Sequence, residues 1–205
     1  MDSSLLHVFV YGTLKRGFRN HERLCRGCVS VEEAEIPGKL YGLPEGYPAL
    51  VIPARNVLAE GTDNPAADLA AQFGARATPP GSLYAPRQRG DRRYPAHEAL
   101  LDEQREDEAA AGGSLAGWDR VQGEVLTFND AARRLPALDR LENFRPGHRS
   151  HYQRVLAAAV LRRKQIISHA WVYVMDDPGP AAQRLPGGRW PGPRTAQQDS
   201  SASER

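Results

Sequence analysis

A glutamate at the end of a short predicted helix has a setting suited to acid–base chemistry. Leu135 precedes Leu138 by three residues, and Glu142 follows it by four, so all three side chains project from one helical face. A carboxylate on the buried face is costly unless it is paired or protonated, and the helix C-terminus disfavours negative charge. Both effects raise the pKa of Glu142 toward the range of a general base.

The same spacing also fits a glutamate without a chemical role. At a frayed helix end the carboxylate of Glu142 would lie in water, where it could pair with Arg145. Exposed pairs of this kind contribute little to stability. The residues alone leave both interpretations open.

A second candidate site lies near the N-terminus, where an apolar segment meets a glycine. Residues 5–11 are rich in β-branched and aromatic side chains and predict a strand buried on both faces. At Gly12 the backbone N–H groups leave the sheet, and a glycine permits a turn and the close approach of a ligand. Lys15 and Arg16 would suit an anionic ligand. An ordinary loop after a buried strand fits the same residues.

The two cysteines, Cys25 and Cys28, form a Cys-x-x-Cys sequence with His21 one turn earlier. A redox motif needs its thiol at a helix N-terminus, whereas this pair falls at the end of a predicted helix. A zinc site needs a second ligand pair, and two cysteines make no disulfide framework. We therefore predict neither a metal site nor a redox function.

Length and charge exclude several classes of protein. The chain has 205 residues, with 27 Lys and Arg against 25 Asp and Glu and a net charge of +2. This balance does not indicate a partner that is nucleic acid or an anionic membrane. No apolar run approaches the length of a membrane span, and no secretory signal is visible. We expect a soluble cytoplasmic protein.

The predicted elements are mostly strands. Periodicity and turn residues predict strands at 29–36, 38–43, 47–52, 120–128, 152–161 and 166–175, the last two joined as a hairpin. A short helix at 21–26 would be capped by Asn20. Pro136 would divide a later helical region in two, with the second helix running from 136 to 142 and stopping near Asn143.

Residues 53–117 have a different composition, rich in Ala, Pro, Gly, Arg and Glu. Such a segment buries too little apolar surface to offset its ordering entropy, so we predict a low-complexity insertion whose one helical stretch is 97–111. The prediction is a single domain over residues 1–192, interrupted by this insertion, with a disordered tail at 193–205.

Several blocks of sequence resemble the γ-glutamylcyclotransferase-like family, especially its γ-glutamylamine cyclotransferase and AIG2-like branch. The blocks cover most of residues 5–52 and 118–192. They read Tyr11-Gly12-Thr13-Leu14-Lys15-Arg16-Gly17, Tyr47-Pro48-Ala49, Val121-Gln122-Gly123-Glu124-Val125, Leu138-Asp139-Arg140-Leu141-Glu142, Tyr152-Gln153-Arg154 and Ala170-Trp171-Val172-Tyr173-Val174. Asn143 stands where many members have glycine, and the segment to Tyr152 is somewhat long.

The resemblance implies an α+β fold, a small closed or nearly closed mixed β-barrel with short peripheral helices. It also implies an internal acyl transfer that needs no cofactor. The α-amine of a small-molecule γ-glutamyl amine or peptide attacks its own γ-carbonyl, which releases 5-oxoproline and a free amine. The family's catalytic glutamate maps onto Glu142, which would move protons between the two amines. We expect a monomer.

The family's Tyr-Gly-Thr-Leu loop binds the γ-glutamyl part of the substrate. By resemblance, the backbone N–H groups of Gly12, Thr13 and Leu14 would hold the substrate carboxylate or the developing oxyanion. Tyr11 and Tyr152 are candidates for lining the substrate pocket.

Two other functions stay open at this point. A non-catalytic AIG2-like binding module would keep the fold and use the insertion to engage a partner. A pathway-specific deprotecting cyclotransferase would act on a γ-glutamylated biosynthetic intermediate. The pocket for the leaving group lies in variable loops, so the sequence does not separate these functions.

Overall fold

Short strands make up most of the computed structural model, which describes residues 5–76, 117–148 and 150–191. In chain order the strands are β1 (Leu6–Val10), β2 (Ser30–Gly42), β3 (Pro48–Val51), β4 (Val57–Glu60), β5 (Asp119–Phe128), β6 (Gln153–Leu161), β7 (Ile166–Val174) and β8 (Gln183–Arg184). The α-helices are α1 (Arg19–Leu24), α2 (Pro65–Arg76) and α3 (Ala131–Leu141), and a 3-10 turn covers Ala54–Asn56.

Five strands of the described residues close into a mixed barrel in the order β2-β5-β1-β7-β6. The barrel closes where Ala34 and Glu35 of β2 pair with β6. The β1–β7 pairing is parallel, with Val8 opposite Trp171, and the other pairings are antiparallel. Strands β3 and β8 extend β2, and β4 extends β6. The predicted α+β class with a small mixed β-barrel is confirmed.

Buried side chains on the two faces of β1 belong to different apolar clusters. Leu6, Val8 and Val10 pack with Leu135 and Leu138 of α3 in a cluster between the barrel wall and the helices. Phe9 points the other way, into a cluster supplied by the strands and the residues that flank them, which fills the barrel. The prediction that this strand is buried on both faces is confirmed, because a barrel wall covered by helices leaves neither face in water.

Strand β2 corrects one prediction. Two strands were expected at 29–36 and 38–43, but a single strand runs from Ser30 to Gly42. Its pairing with β5 continues through Pro37 opposite Arg120 and Gly38 opposite Asp119. The glycine serves a close approach rather than a turn, since a Cβ at Gly38 would lie 2.6 Å from the Leu50 side chain.

Two helices also differ from their predictions. Helix α1 begins at Arg19 with Phe18 at its N-cap, two residues before the expected start. Asn20 therefore does not cap it, and its side chain instead donates to Thr13 Oγ1 at 3.0 Å. The helix α3 is continuous from Ala131 to Leu141 with Pro136 inside it. The loss of one backbone donor at Pro136 is outweighed by the burial of the leucines on either side of it.

The prediction that an unstructured insertion begins at residue 53 was wrong for residues 54–76. The strand β4 pairs with β6, and α2 packs on β1 through Gln72, whose Oε1 accepts from the His7 N–H and whose Nε2 donates to the Leu5 carbonyl. These contacts are polar, so composition does not reveal them. The predicted helix at 97–111, residues 77–116 of the insertion and the predicted tail at 193–205 lie outside the described residues.

None of the helices in the described part of the chain has the length and apolar character needed to cross a membrane.

Candidate active site

Glu142 occupies the C-cap of α3, where its N–H donates to the Leu138 carbonyl at 3.0 Å. It follows the buried face formed by Leu135 and Leu138 and is itself partly buried. Asn143 then takes a left-handed conformation with a φ of 52°, which ends the helix where glycine or asparagine commonly does. The predicted placement of Glu142 at the end of the leucine face is therefore confirmed.

Burial raises the pKa of Glu142 from its ordinary 4.5 to about 7. Among the described residues the side chain makes no hydrogen bond or ion pair that would offset this burial. The ion pair with Arg145 that one interpretation of the sequence allowed is not formed among the described residues. A carboxyl group in this state can accept and release a proton near neutral pH.

Three tyrosines lie close enough to this carboxyl group for its charge to affect their pKa values. Burial raises the pKa of Tyr11, Tyr152 and Tyr173, and the charge of Glu142 adds to the rise in each. Their hydroxyls donate elsewhere: Tyr11 to the Tyr173 carbonyl at 2.8 Å, Tyr152 to the Pro48 carbonyl at 2.7 Å, and Tyr173 to Asp139 Oδ1 at 2.7 Å. The structure thus brings Tyr11 and Tyr152, both predicted to line the substrate pocket, to the predicted glutamate.

The loop after β1 packs against the same group of residues. A Cβ on Gly12 would lie 2.6 Å from Pro48 Cγ, and the Pro48 carbonyl accepts from Tyr152. The glycine therefore permits contact with a proline of β3, in addition to any contact with a ligand. Within the described residues the N–H groups of Gly12, Thr13 and Leu14 form no hydrogen bond, so they are available to an anion or a carbonyl oxygen.

The remaining loop residues are held by the protein itself. Leu14 places its side chain in the core. Lys15 Nζ donates to the Trp190 carbonyl at 3.3 Å, and burial lowers the pKa of Lys15. Arg16 binds Glu124 through Nε at 2.8 Å and through its backbone N–H at 2.9 Å. The two cations that the sequence suggested for an anionic ligand thus anchor the loop to β5 and to the C-terminal segment.

Arg154, a buried arginine beside the site, was part of the Tyr152-Gln153-Arg154 block but was given no role from the sequence. Arg154 Nε binds Asp139 Oδ1 at 2.8 Å, Nη1 binds Asp68 Oδ2 at 2.8 Å, and Nη2 donates to the Thr62 carbonyl at 2.8 Å. The side chains of Arg154 and Asp68 are each only 1% exposed. An arginine at the start of the apolar strand β6 could have indicated a buried ion pair, because arginine is rarely buried without a partner. Nothing in the sequence identified Asp68 as that partner.

An open cavity of about 500 Å³ lies beside this group, between the start of α2 and the end of α3. Its lining includes Thr62, Asp139, Arg140 and Phe144. Glu142 and the loop after β1 are not part of the lining. Asp139 thus contributes to the cavity lining and also accepts a hydrogen bond from Tyr173.

The cysteine pair has no feature of a reactive site. Cys25 and Cys28 are both free thiols. Burial raises the pKa of Cys25 to about 12, so its thiol stays protonated near neutral pH. In the part of the chain that the structure describes, no group of three or more His, Cys, Asp or Glu side chains could hold a metal ion.

Comparison with known proteins agrees with the blocks of sequence gathered at this site. The family described as "Gamma-glutamyl cyclotransferase, AIG2-like" matches residues 8–71 and 71–192. The chain belongs to this family, and the predicted resemblance is confirmed. No curated protein sequence matches the chain.

Two solved structures are similar to this chain. YkqA from Bacillus subtilis is 15% identical with a TM-score of 0.43; the match covers 91% of this chain and 39% of that one. An AIG2-like protein from Mus musculus is 18% identical with a TM-score of 0.40, and the match covers 93% of this chain and 97% of that one. This chain thus spans well under half the length of YkqA.

Proposed function

We propose that the protein is a γ-glutamyl cyclotransferase that converts a γ-glutamyl amine or peptide to 5-oxoproline and a free amine. The observation that carries the proposal is the state of Glu142, a partly buried carboxyl group with a pKa of about 7 and no partner among the described residues. Membership of the family supports the same reaction class. The proposal includes a monomer whose single domain spans residues 1–192.

In this reaction the Glu142 carboxylate accepts a proton from the substrate α-ammonium group. The freed amine nitrogen forms a bond to the carbonyl carbon of the γ-amide group in the same molecule, and the carbonyl π-bond opens to give a tetrahedral intermediate with an oxyanion. Glu142 then returns its proton to the leaving nitrogen, the bond from that carbon to this nitrogen breaks, and the carbonyl group re-forms. The ring nitrogen gives its second proton to the regenerated Glu142 carboxylate, which passes it to the departing amine. Because nucleophile and electrophile share one molecule, the protein has mainly to hold a cyclising conformation.

The loop after β1 supplies the groups for the oxyanion or the substrate carboxylate. The N–H groups of Gly12, Thr13 and Leu14 have no partner in the described part of the protein, and donors aimed at a developing oxyanion lower the barrier. We assign Tyr11 and Tyr152 to the lining of the substrate pocket, because the charge of Glu142 acts on both, and their hydroxyls stay protonated because burial raises the pKa of each.

The test is release of 5-oxoproline from a panel of γ-glutamyl compounds. The panel contains γ-glutamyl-ε-lysine, γ-glutamyl amino acids and glutathione, and each is incubated with the wild type, Glu142→Gln and Glu22→Gln. Glu22 is an exposed glutamate on α1 and serves as the matched control. We expect turnover that Glu142→Gln lowers by at least about a thousandfold and that Glu22→Gln leaves unchanged.

Other outcomes contradict parts of the proposal. Turnover that survives Glu142→Gln rejects the role of Glu142. No turnover by the folded wild type rejects a general cyclotransferase and leaves the binding module or a pathway-specific amide. Calorimetric titration with the unreacted panel then separates these two, because a binding module for γ-glutamyl compounds gives heat without product.

A further inference from the structure

Helix α2 is connected to the end of α3 through one buried arginine. The guanidinium group of Arg154 binds Asp68 of α2 and Asp139 of α3, each at 2.8 Å. The second oxygen of Asp68 accepts from the N–H and the hydroxyl of Thr62 at 3.0 and 2.9 Å. Both oxygens of Asp68 are therefore occupied, and its position is determined from two sides.

The charges in this group do not cancel. Two carboxylates face one guanidinium group, and Arg154 and Asp68 are almost fully buried. Such groups tolerate little displacement, since an unpaired buried charge is very costly. Asp139 has a third contact from the hydroxyl of Tyr173. Asp139 is thus held in position relative to β6 through Arg154, to β7 through Tyr173, and to α2 through the contact of Arg154 with Asp68.

Asp139 is connected to the segment around Glu142 by a helix turn and by one backbone hydrogen bond. Asp139 lies three residues before Glu142 on the last turn of α3. Beyond Glu142, the Phe144 N–H donates to the Asp139 carbonyl at 2.8 Å, and the Phe144 ring packs against Arg154 and Tyr173. Glu142 is therefore held between two residues, Asp139 and Phe144, that contact Arg154.

We propose that Asp68 is a positioning residue for Glu142, acting through Arg154 and Asp139 and the helix turn that they hold. The inference rests on the proposed function, because it assigns Asp68 a part in placing the proposed acid–base group. It makes α2 a functional element of the site, although none of its residues bears a sequence signal for chemistry.

The test compares Asp68→Asn with Gln72→Leu. Gln72 also anchors α2 to the barrel, through the backbone of β1, but it does not contact Arg154. The first readout is kcat and KM for 5-oxoproline release, from pH 5 to 9. The second is the titration of the Glu142 carboxyl carbon by ¹³C NMR in glutamate-labelled protein, with the signal assigned by its loss in Glu142→Gln.

For Asp68→Asn we expect kcat to fall about tenfold with KM nearly unchanged, because the acid–base group is misplaced while the binding loop is intact. Among the described residues, the titratable groups on which the charge of Glu142 acts are Tyr11, Tyr152 and Tyr173, and the Asp139–Arg154 pair lies one helix turn earlier. A looser turn admits water to the Glu142 carboxyl group, and because burial is the cause of its raised pKa, the titration midpoint should fall by about half a unit.

Gln72→Leu should leave both readouts at wild-type values. The proposal is overturned if Asp68→Asn matches the wild type in kcat and midpoint, or if Gln72→Leu reproduces both changes. Should Asp68→Asn fail to fold, Thr62→Val keeps the Asp68 charge but removes the hydroxyl contact to Asp68 and two hydrogen bonds to the Asn64 backbone. It should shift both readouts in the same direction by less. An inactive wild type would reject the proposed function alone, since the NMR midpoint still decides the positioning role.

Discussion

Asp139 and Glu142 lie three residues apart at the end of one helix and differ in their partners. Burial raises the pKa of both carboxyl groups. For Asp139 the charge of Arg154 and the hydroxyl of Tyr173 act in the opposite direction, whereas burial is the one cause acting on Glu142, whose pKa reaches about 7. The difference shows that the partner, rather than burial, decides whether a carboxylate holds the structure or remains able to exchange a proton.

The largest loss of stability should follow from replacement of Arg154, the residue that pairs with Asp139. Arg154→Met leaves Asp68 and Asp139 buried without their counter-charge and should lower the free energy of unfolding by about 3–5 kcal/mol. Urea unfolding at pH 7 measures this change. The control is Arg162→Met, because Arg162 is 45% exposed where it pairs with Glu35, and its loss should cost less than about 1 kcal/mol. Equal losses in both variants would mean that the buried pair of Arg154 and Asp139 is no more important for stability than the exposed pair of Arg162 and Glu35.

The second prediction concerns the pH dependence of stability. Because the native pKa of Glu142, about 7, exceeds its ordinary value of 4.5, the folded protein binds an extra proton between these pH values. Stability therefore falls as pH rises from 4.5 through 7, by up to about 3 kcal/mol. The Glu142→Gln variant lacks this pH-dependent contribution. Its free energy of unfolding should therefore exceed that of the wild type at pH 8 and be about equal to it at pH 4.5.

Urea unfolding of both proteins across this pH range measures the difference, and other titrating groups cancel in the subtraction. A constant difference between pH 4.5 and 8 would mean that Glu142 titrates normally and is not buried as described.

A smaller difference in the free energy of unfolding should distinguish Tyr173, which contacts Asp139, from Tyr152, which does not. The hydroxyl of Tyr173 donates to the carboxylate of Asp139, and that of Tyr152 donates to the Pro48 carbonyl. Hydrogen bonds to charged groups contribute more than neutral ones, so Tyr173→Phe should cost about 2 kcal/mol and Tyr152→Phe about 1 kcal/mol. Thermal unfolding of the two variants at pH 7 measures these costs. A larger cost for Tyr152→Phe would contradict the prediction that the hydrogen bond to the Asp139 carboxylate is the stronger one.

Local patterns predicted the part of the site that lies on one helix and one loop. The spacing of Leu135, Leu138 and Glu142 placed the carboxyl group correctly, because the helical period alone decides which residues share a face. The strand predicted at residues 5–11, just before Gly12, was also correct apart from one residue at each end, since its apolar residues require burial on both faces. The continuous helix through Pro136 was missed, because tertiary packing outweighed a local breaker.

The sequence by itself determined the barrel class, the family and the place of Glu142 at a helix end, since each depends on residues close together in the chain or on motifs in order. Only the tertiary structure decided that Asp139 is paired and Glu142 is not. The pairing depends on Asp68 and Arg154, which lie 86 residues apart and meet only when α2 docks on the barrel. Polar contacts between residues so far apart in the chain cannot be recognised from sequence periodicity. A buried hydrogen bond requires one suitable residue at one position rather than a repeated pattern of residue types.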